Sequence, residues 1–245
     1  MRRRLTAVVM LLALCFGGAL SARGETGLEG FRVWHGDPES RKIAITMDDV
    51  NDREWVWKSV ELCRQYGITM TFFPNGINIK EEDAEQWRDV VASGCEIGSH
   101  GYDHSSLKKI SDRSQVFLLL GKTQETLDRV LGYHYPIRWY RPPYGIMEDP
   151  NGKDSHYRTL KKFGYEHAIL WNVSQTNPDE AFQRVKNGSI LLYHARKKDY
   201  DCLVNLVPRL LEAGFQPVTV SALFGFDPPE TGEELYVYRK GDYMQ

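Results

Sequence analysis

Two adjacent carboxylates, Asp48 and Asp49, close a short apolar run, Lys42–Met47. Like charges side by side repel unless a cation or a guanidinium stands near them. Most such pairs are solvated turns or helix caps, so this one needs support from elsewhere in the chain. His100 and His104 supply it, because two imidazoles at this spacing can share one metal ion. One carboxylate with two imidazoles leaves coordination positions open for water and substrate. Zn²⁺ uses this set in hydrolases and Fe²⁺ uses it in oxygenases. Zinc suits a hydrolytic reading, since it lowers the pKa of bound water toward ~7, and another divalent transition metal is the alternative. The remaining carboxylate is then free to act as a general base, oriented and held ionised by Arg141. His194 ends the apolar run Ile190–Tyr193 and is the candidate general acid, although the same position suits a satisfied core histidine. His35, His134, His156 and His167 fall on helices, strand starts or loop approaches and read as structural.

These groups need a scaffold that brings them together. Lys42–Met47 reads as a buried strand, and residues 53–66 carry Val56, Val60 and Cys63 at helical spacing before Gly67. Thr69–Phe73 is β-branched and aromatic and reads as a second strand. Further strands are expected at Cys95–Gly98, Ile137–Tyr140, Tyr165–Trp171, Ile190–Tyr193 and Pro217–Val220. Helices are expected at 81–93, 112–131, 154–163, 178–187 and 202–213. The basic run Arg196-Lys197-Lys198 reads as a solvated loop. Strand–helix alternation favours a parallel sheet wound by right-handed crossovers into a barrel or a doubly wound sheet. In a barrel the chemistry belongs on loops at the strand C-terminal ends. Asp48–Asp49, His100–His104 and Arg141–Tyr144 follow strands in this reading, and Trp171 and His194 end them.

Composition sets the outer bounds. The 245 residues are 42% hydrophobic and 26% charged, as in a folded globular chain. A formal net charge of −2 argues against a nucleic-acid partner. Arg2, Arg3 and Arg4 precede an apolar stretch, Leu5–Leu20, and then the small residues Ser21 and Ala22, the layout of a secretory signal peptide over residues 1–22. A secreted or periplasmic protein follows, with an uncleaved membrane anchor as the lesser alternative. No later apolar run is long enough to span a bilayer. Removal of residues 1–21 takes away three arginines and no acids. Export makes a Cys63–Cys95 disulfide the first pairing to consider, against three small buried side chains in Cys63, Cys95 and Cys202.

The motifs, in this order, resemble the polysaccharide deacetylase family, carbohydrate esterase family 4 (the NodB-homology domain). The family's TFDD motif is matched by Thr46-Met47-Asp48-Asp49, and its H(S/T)xxH element by His100-Gly101-Tyr102-Asp103-His104. Its RxPY motif is matched by Arg141-Pro142-Pro143-Tyr144, and its LxH motif by Leu192-Tyr193-His194. The resemblance covers residues 41–225, with 23–40 as a lead-in and 226–245 as a tail. It implies a distorted (β/α)₇ barrel, similar to a TIM barrel, in a single domain. It also implies a role for each matched position. Asp48 would be the catalytic base, Asp49, His100 and His104 the metal triad, and Arg141 the residue that orients Asp48. His194 would be the general acid. The Tyr144 backbone N–H would help bind the oxyanion, Leu192 would line the acetyl pocket and Trp171 would contact substrate. Met47, Val50 and Gly101 depart from the usual Phe, Gly and Ser or Thr. The fourth motif, often WSVDxxDW, departs most. Ser174 stands where an aspartate would accompany the acid histidine, and Pro178 where a tryptophan would wall the groove. On this sequence His194 lacks its carboxylate partner, which implies a weaker general acid or an unusual substrate. The expected function is exported, zinc-dependent N-deacetylation of a GlcNAc-type polysaccharide such as peptidoglycan or a chitin-like polymer. Alternatives are an O-acetyl esterase acting on xylan or another acetylated polymer, and a non-catalytic glycan-binding protein with a vestigial site.

Overall fold

A computed structural model describes residues 30–153 and 156–239, so the expected signal peptide lies outside the described residues. Strand β1 (Arg32–Val33) is followed by β2 (Lys42–Asp49), β3 (Thr71–Pro74), β4 (Glu96–Ile97), β5 (Trp139–Tyr140), β6 (His167–Ile169), β7 (Ile190–His194) and β8 (Gln216–Val218). Between them run helices α1 (Arg53–Tyr66), α2 (Ala84–Ala92), α3 (Arg113–Leu131), α4 (Tyr157–Phe163), α5 (Pro178–Arg184) and α6 (Lys197–Glu212), with a short α7 (Val220–Leu223) after β8.

Every strand pairing is parallel. One sheet runs β4-β3-β2-β7 and the other β1-β6-β5. Two isolated parallel bridges, Ser99 with Tyr140 and Val173 with Leu191, join the sheets at both seams. Strands β2 to β7 therefore close into an irregular barrel, and the fold is the distorted α/β barrel expected. β8 adds to the start of β2 through Lys42–Ala44. All seven strands read from the sequence are present. β1, within the lead-in, is the additional one, and it pairs with β6 through Arg32–Ala168 and Val33–Ile169.

Alternation along the strands sorts the side chains into two cores. Ile43, Ile45, Met47, Phe72, Leu191 and Tyr193 face outward and pack with helix residues such as Val56, Val60, Leu127 and Leu206. Ala44, Phe73, Trp139, Ile169 and Ile190 face inward, where Val220 and Leu223 join them. Strands buried on both faces read as continuous apolar runs, as β2 does. Within the barrel Glu96 is buried and accepts from Thr71 Oγ1 (3.0 Å), Trp139 Nε1 (2.8 Å) and the Ser221 N–H (3.0 Å). A buried carboxylate needs such donors, and these tie β4 to β3, β5 and α7.

The helix ends follow the chemistry of their caps. Asp112 accepts from the Ser114 N–H at the start of α3, and Asn177 caps α5 with Pro178 at its first turn. α6 differs from expectation. It begins at Lys197, so the basic run enters its first turn, where Lys197 Nζ lies 2.6 Å from Asp201. The tail also packs on the barrel, with Phe226 edge-on to Trp139 and Tyr236 edge-on to Phe163. Among the described residues no helix is long and apolar enough to cross a membrane. Cys63, Cys95 and Cys202 are free and buried, which is the second of the two arrangements considered, and Cys63 and Cys95 form no disulfide. Interaction with the Cys95 thiol, with burial, pushes Cys63 up, and interaction with Cys63 pushes Cys95 down to about 7.

Candidate active site

The inward alternation that builds the lower barrel also delivers the site. In β2 the inward positions run Ala44, Thr46, Asp48, and in β7 they run Ile190, Leu192, His194. The β2–β7 register sets Thr46 opposite Leu192 and Asp48 opposite His194. Apolar residues therefore fill the base of each strand, and reactive ones stand at its C-terminal end.

Asp48 and Arg141 form a buried ion pair. Arg141 is fully enclosed, and its Nη1 donates to Asp48 Oδ1 at 2.8 Å and to Thr46 Oγ1 at 2.5 Å. Its Nε donates to the Ile169 carbonyl at 3.0 Å and its Nη2 to that of Leu170 at 3.3 Å. The guanidinium lies 4.3 Å from the Phe73 ring centre. Burial pulls the Arg141 pKa below its ordinary value, and the Asp48 charge opposes that shift. Each nitrogen of the fork is thus directed, and one contact fixes the carboxylate orientation.

Asp49 sits on the other side of the chain, with φ 67°, in a left-handed conformation uncommon outside glycine. Asn78 Nδ2 holds its carbonyl at 2.9 Å, and Asn75 Nδ2 lies 3.4 Å from its Oδ1. Neither asparagine stood out in the sequence. Asp49 Oδ1 is 3.4 Å from His100 Nε2 and 3.3 Å from His104 Nε2. Tetrahedral zinc bonds of about 2.0–2.2 Å put ligand atoms roughly 3.3–3.6 Å apart. The three donor atoms, all within 4.8 Å of one another, therefore suit a divalent transition ion. His100 Nδ1 pairs with the Arg141 carbonyl at 2.8 Å, which leaves Nε2 as the candidate ligand atom. Burial pushes the His100 pKa below its ordinary value despite the two aspartates, and a ligand imidazole must be neutral. His104, with φ 62°, has Nδ1 3.2 Å from the Tyr144 hydroxyl. Left-handed backbone at two of the three donors is strain concentrated at the site. Gly101, between the histidines, has φ 77°, so the residue that departs from the usual Ser or Thr suits its backbone.

Tyr144 has φ 62° and is 64% exposed, so it projects from the barrel mouth. With Trp34, Trp171, Arg32, Leu170 and Gly145 it lines an open groove of about 330 Å³. Leu192 is nearly buried on the inner face beside Thr46. Pro178 starts α5, while Ser174 is exposed. His194, half-buried, has Nδ1 3.9 Å from Asp199 Oδ1, and Asp199 is almost fully enclosed. The expectation that His194 lacks a carboxylate neighbour is therefore corrected. α6 supplies one that sequence reasoning missed, because the basic run before it read as a loop. The remaining histidines have ordinary partners: His134 with Asp128 (2.6 Å), His156 with the Ile110 carbonyl (2.8 Å), His35 with the Gly36 carbonyl (2.8 Å), and His167 stacked on Trp139.

Fold and donor set together define a class: a parallel α/β barrel with a candidate one-aspartate, two-histidine metal centre at its strand C-terminal ends. Residues 35–168 match the polysaccharide deacetylase family, and the chain belongs to it. A peptidoglycan-N-acetylglucosamine deacetylase of Bacillus cereus is 27% identical over 221 residues, covering 83% of this chain and 98% of that protein. The bifunctional xylanase/deacetylase of Pseudobutyrivibrio xylanivorans is 23% identical, covering 89% of this chain but 35% of its own length. Among solved structures, a peptidoglycan N-acetylglucosamine deacetylase bound to a hydroxamate-type benzamide superposes with TM-score 0.69 at 23% identity, covering 81% of this chain and 95% of that one. A family 4 pseudoenzyme from Bacillus anthracis superposes with TM-score 0.68 at 21% identity, covering 80% of this chain and 69% of that one.

Proposed function

We propose that this polysaccharide deacetylase is an exported, zinc-dependent enzyme that removes N-acetyl groups from a GlcNAc-type glycan, with peptidoglycan as the first polymer to consider. One observation carries the reading. A buried carboxylate, clamped at 2.8 Å by a buried arginine, has its second oxygen 3.9 Å from a histidine of the candidate metal centre. A base held this way beside a metal centre serves hydrolysis and adds nothing to glycan binding alone, so the enzymatic reading is preferred over a vestigial site.

Asp49, His100 and His104 would hold the ion, which supplies Lewis acidity and an acidified water. Asp48 takes a proton from the attacking water as the new C–O bond forms at the acetamide carbon. The Tyr144 N–H donates to the carbonyl oxygen as it gains negative charge. His194 gives a proton to the nitrogen as the C–N bond breaks, releasing acetate and a free amine. Leu192 lines the space for the acetyl methyl, and Trp171 offers an aromatic face to the sugar. Export rests on the basic and apolar pattern of residues 1–22. The similarity to the xylanase/deacetylase keeps O-acetyl xylan as the second substrate class.

The test is acetate release from N-acetylglucosamine oligomers and from peptidoglycan, after chelation and again after zinc is restored. Zinc-restored release from the N-acetyl substrates is expected. Release from acetylated xylan alone would overturn the amide reading in favour of the ester.

A further inference from the structure

Asp199 is a buried carboxylate beside His194 that the chemistry above leaves unused. It is the third residue of α6 and is 1% exposed. Its Oδ1 accepts the His194 backbone N–H at 3.0 Å. Its Oδ2 is buried with no hydrogen-bond partner. A carboxylate enclosed with one oxygen unsatisfied carries a desolvation cost that packing alone does not explain. The other titratable groups facing it are the Tyr193 hydroxyl and the Cys202 thiol, and burial pushes the pKa of both upward, so both are neutral near pH 7. Lys197, on the same turn, is exposed and paired with Asp201. Among the described residues, the group able to carry positive charge within ion-pair distance of Asp199 is His194, with Nδ1 3.9 Å from Oδ1.

We propose that Asp199 is a positioning residue for His194, keeping the imidazole proton on Nδ1 so that Nε2 exchanges the proton with the leaving group. The proposal rests on the reading of His194 as the general acid. The separation exceeds a hydrogen bond, but catalytic pairs are often loose until substrate binds, and a rotation of either side chain would close it. Once His194 carries its second proton, the adjacent anion offsets the charge. The carboxylate arrives from the helix after β7, five residues beyond His194, and not from the segment around Ser174. Its place near the α6 N-terminus gives it a structural alternative, since an acidic side chain there favours the helix. The test must therefore separate helix support from action on His194.

Asp199→Asn keeps an oxygen for the His194 N–H and removes the charge. Turnover of an N-acetylglucosamine oligomer should fall by about 10²-fold, the lower range for losing assisted proton transfer. Turnover of 4-nitrophenyl acetate, whose phenolate leaves without protonation, should change by less than about threefold. Asp199→Glu should recover part of the amide activity. In a His194→Ala background, Asp199→Asn should cost nothing more, because residues acting as a unit are not additive. Equal losses on both substrates, or losses that multiply in the double variant, would overturn the proposal. Nitrogen-15 spectra of the imidazoles give a readout independent of turnover. They should show the His194 proton on Nδ1 in the parent and displaced in Asp199→Asn, and the same tautomer in both would also overturn it. Failure of the parent to release acetate from either substrate would instead refute the deacetylase reading, and the spectra would still decide the role of Asp199.

Discussion

Replacing Arg141 by Met tests the electrostatics at the centre of the barrel. The substitution removes donors to Asp48, Thr46, Ile169 and Leu170. Met fills much of the same volume against Phe73, so the cavity cost is small and the electrostatic cost dominates. Asp48 is 2% exposed and would be left without its guanidinium partner. Breaking a buried pair from one side costs about 3–5 kcal/mol. At about 2–4 °C per kcal/mol for a chain of this size, Tm should fall by roughly 6–20 °C. The measurement is urea and thermal unfolding of metal-free protein, which keeps ligand binding out of the comparison. Adding Asp48→Asn removes the stranded charge, so the double variant should be more stable than Arg141→Met alone. An Arg141→Met variant within about 1 kcal/mol of the parent, or strictly additive losses, would refute the claim that the two groups form one electrostatic unit.

Burial pushes the His156 and His167 pKa values below the ordinary 6.5. Below about pH 6.5 the unfolded chain binds protons that the folded chain refuses, so stability should hold above that pH and fall on acidification toward each folded-state value. The urea midpoint should be lower at about pH 5.5 than at about pH 7.5, with a smaller drop for His156→Gln, and an equal drop would contradict the assignment. A Cβ at Gly98 would lie 2.4 Å from the Phe73 ring that flanks Arg141. Gly98→Ala should therefore cost about 1–3 kcal/mol by overpacking, read from denaturant midpoints. Denatured protein lacking residues 1–22 should titrate three thiols with Ellman's reagent and the folded protein should react slowly at each, whereas a single thiol would restore the Cys63–Cys95 disulfide.

The site was legible where one residue's chemistry demanded another. Paired carboxylates required a cation, and Arg141 meets Asp48. Two histidines required an anion, and Asp49 lies within 3.4 Å of both. The strands were legible because buried parallel strands are apolar on both faces. What escaped depended on tertiary partners. β1 is two residues long and exists through pairing with β6. The start of α6 was hidden by basic residues that disfavour a helix N-terminus, and packing of its apolar face overrides them. With that turn read as loop, Asp199 could not be placed beside His194. Asn75 and Asn78 carry no sequence signal, because their function is to hold a left-handed turn.

The central claim assigns two neighbouring aspartates opposite tasks, and parallel metal and activity measurements on Asp48→Asn and Asp49→Asn test it most directly. Zinc content by mass spectrometry should stay near one equivalent in Asp48→Asn while acetate release disappears, and Asp49→Asn should lose both. Loss of the metal from Asp48→Asn with retention in Asp49→Asn would contradict the account and exchange the two roles.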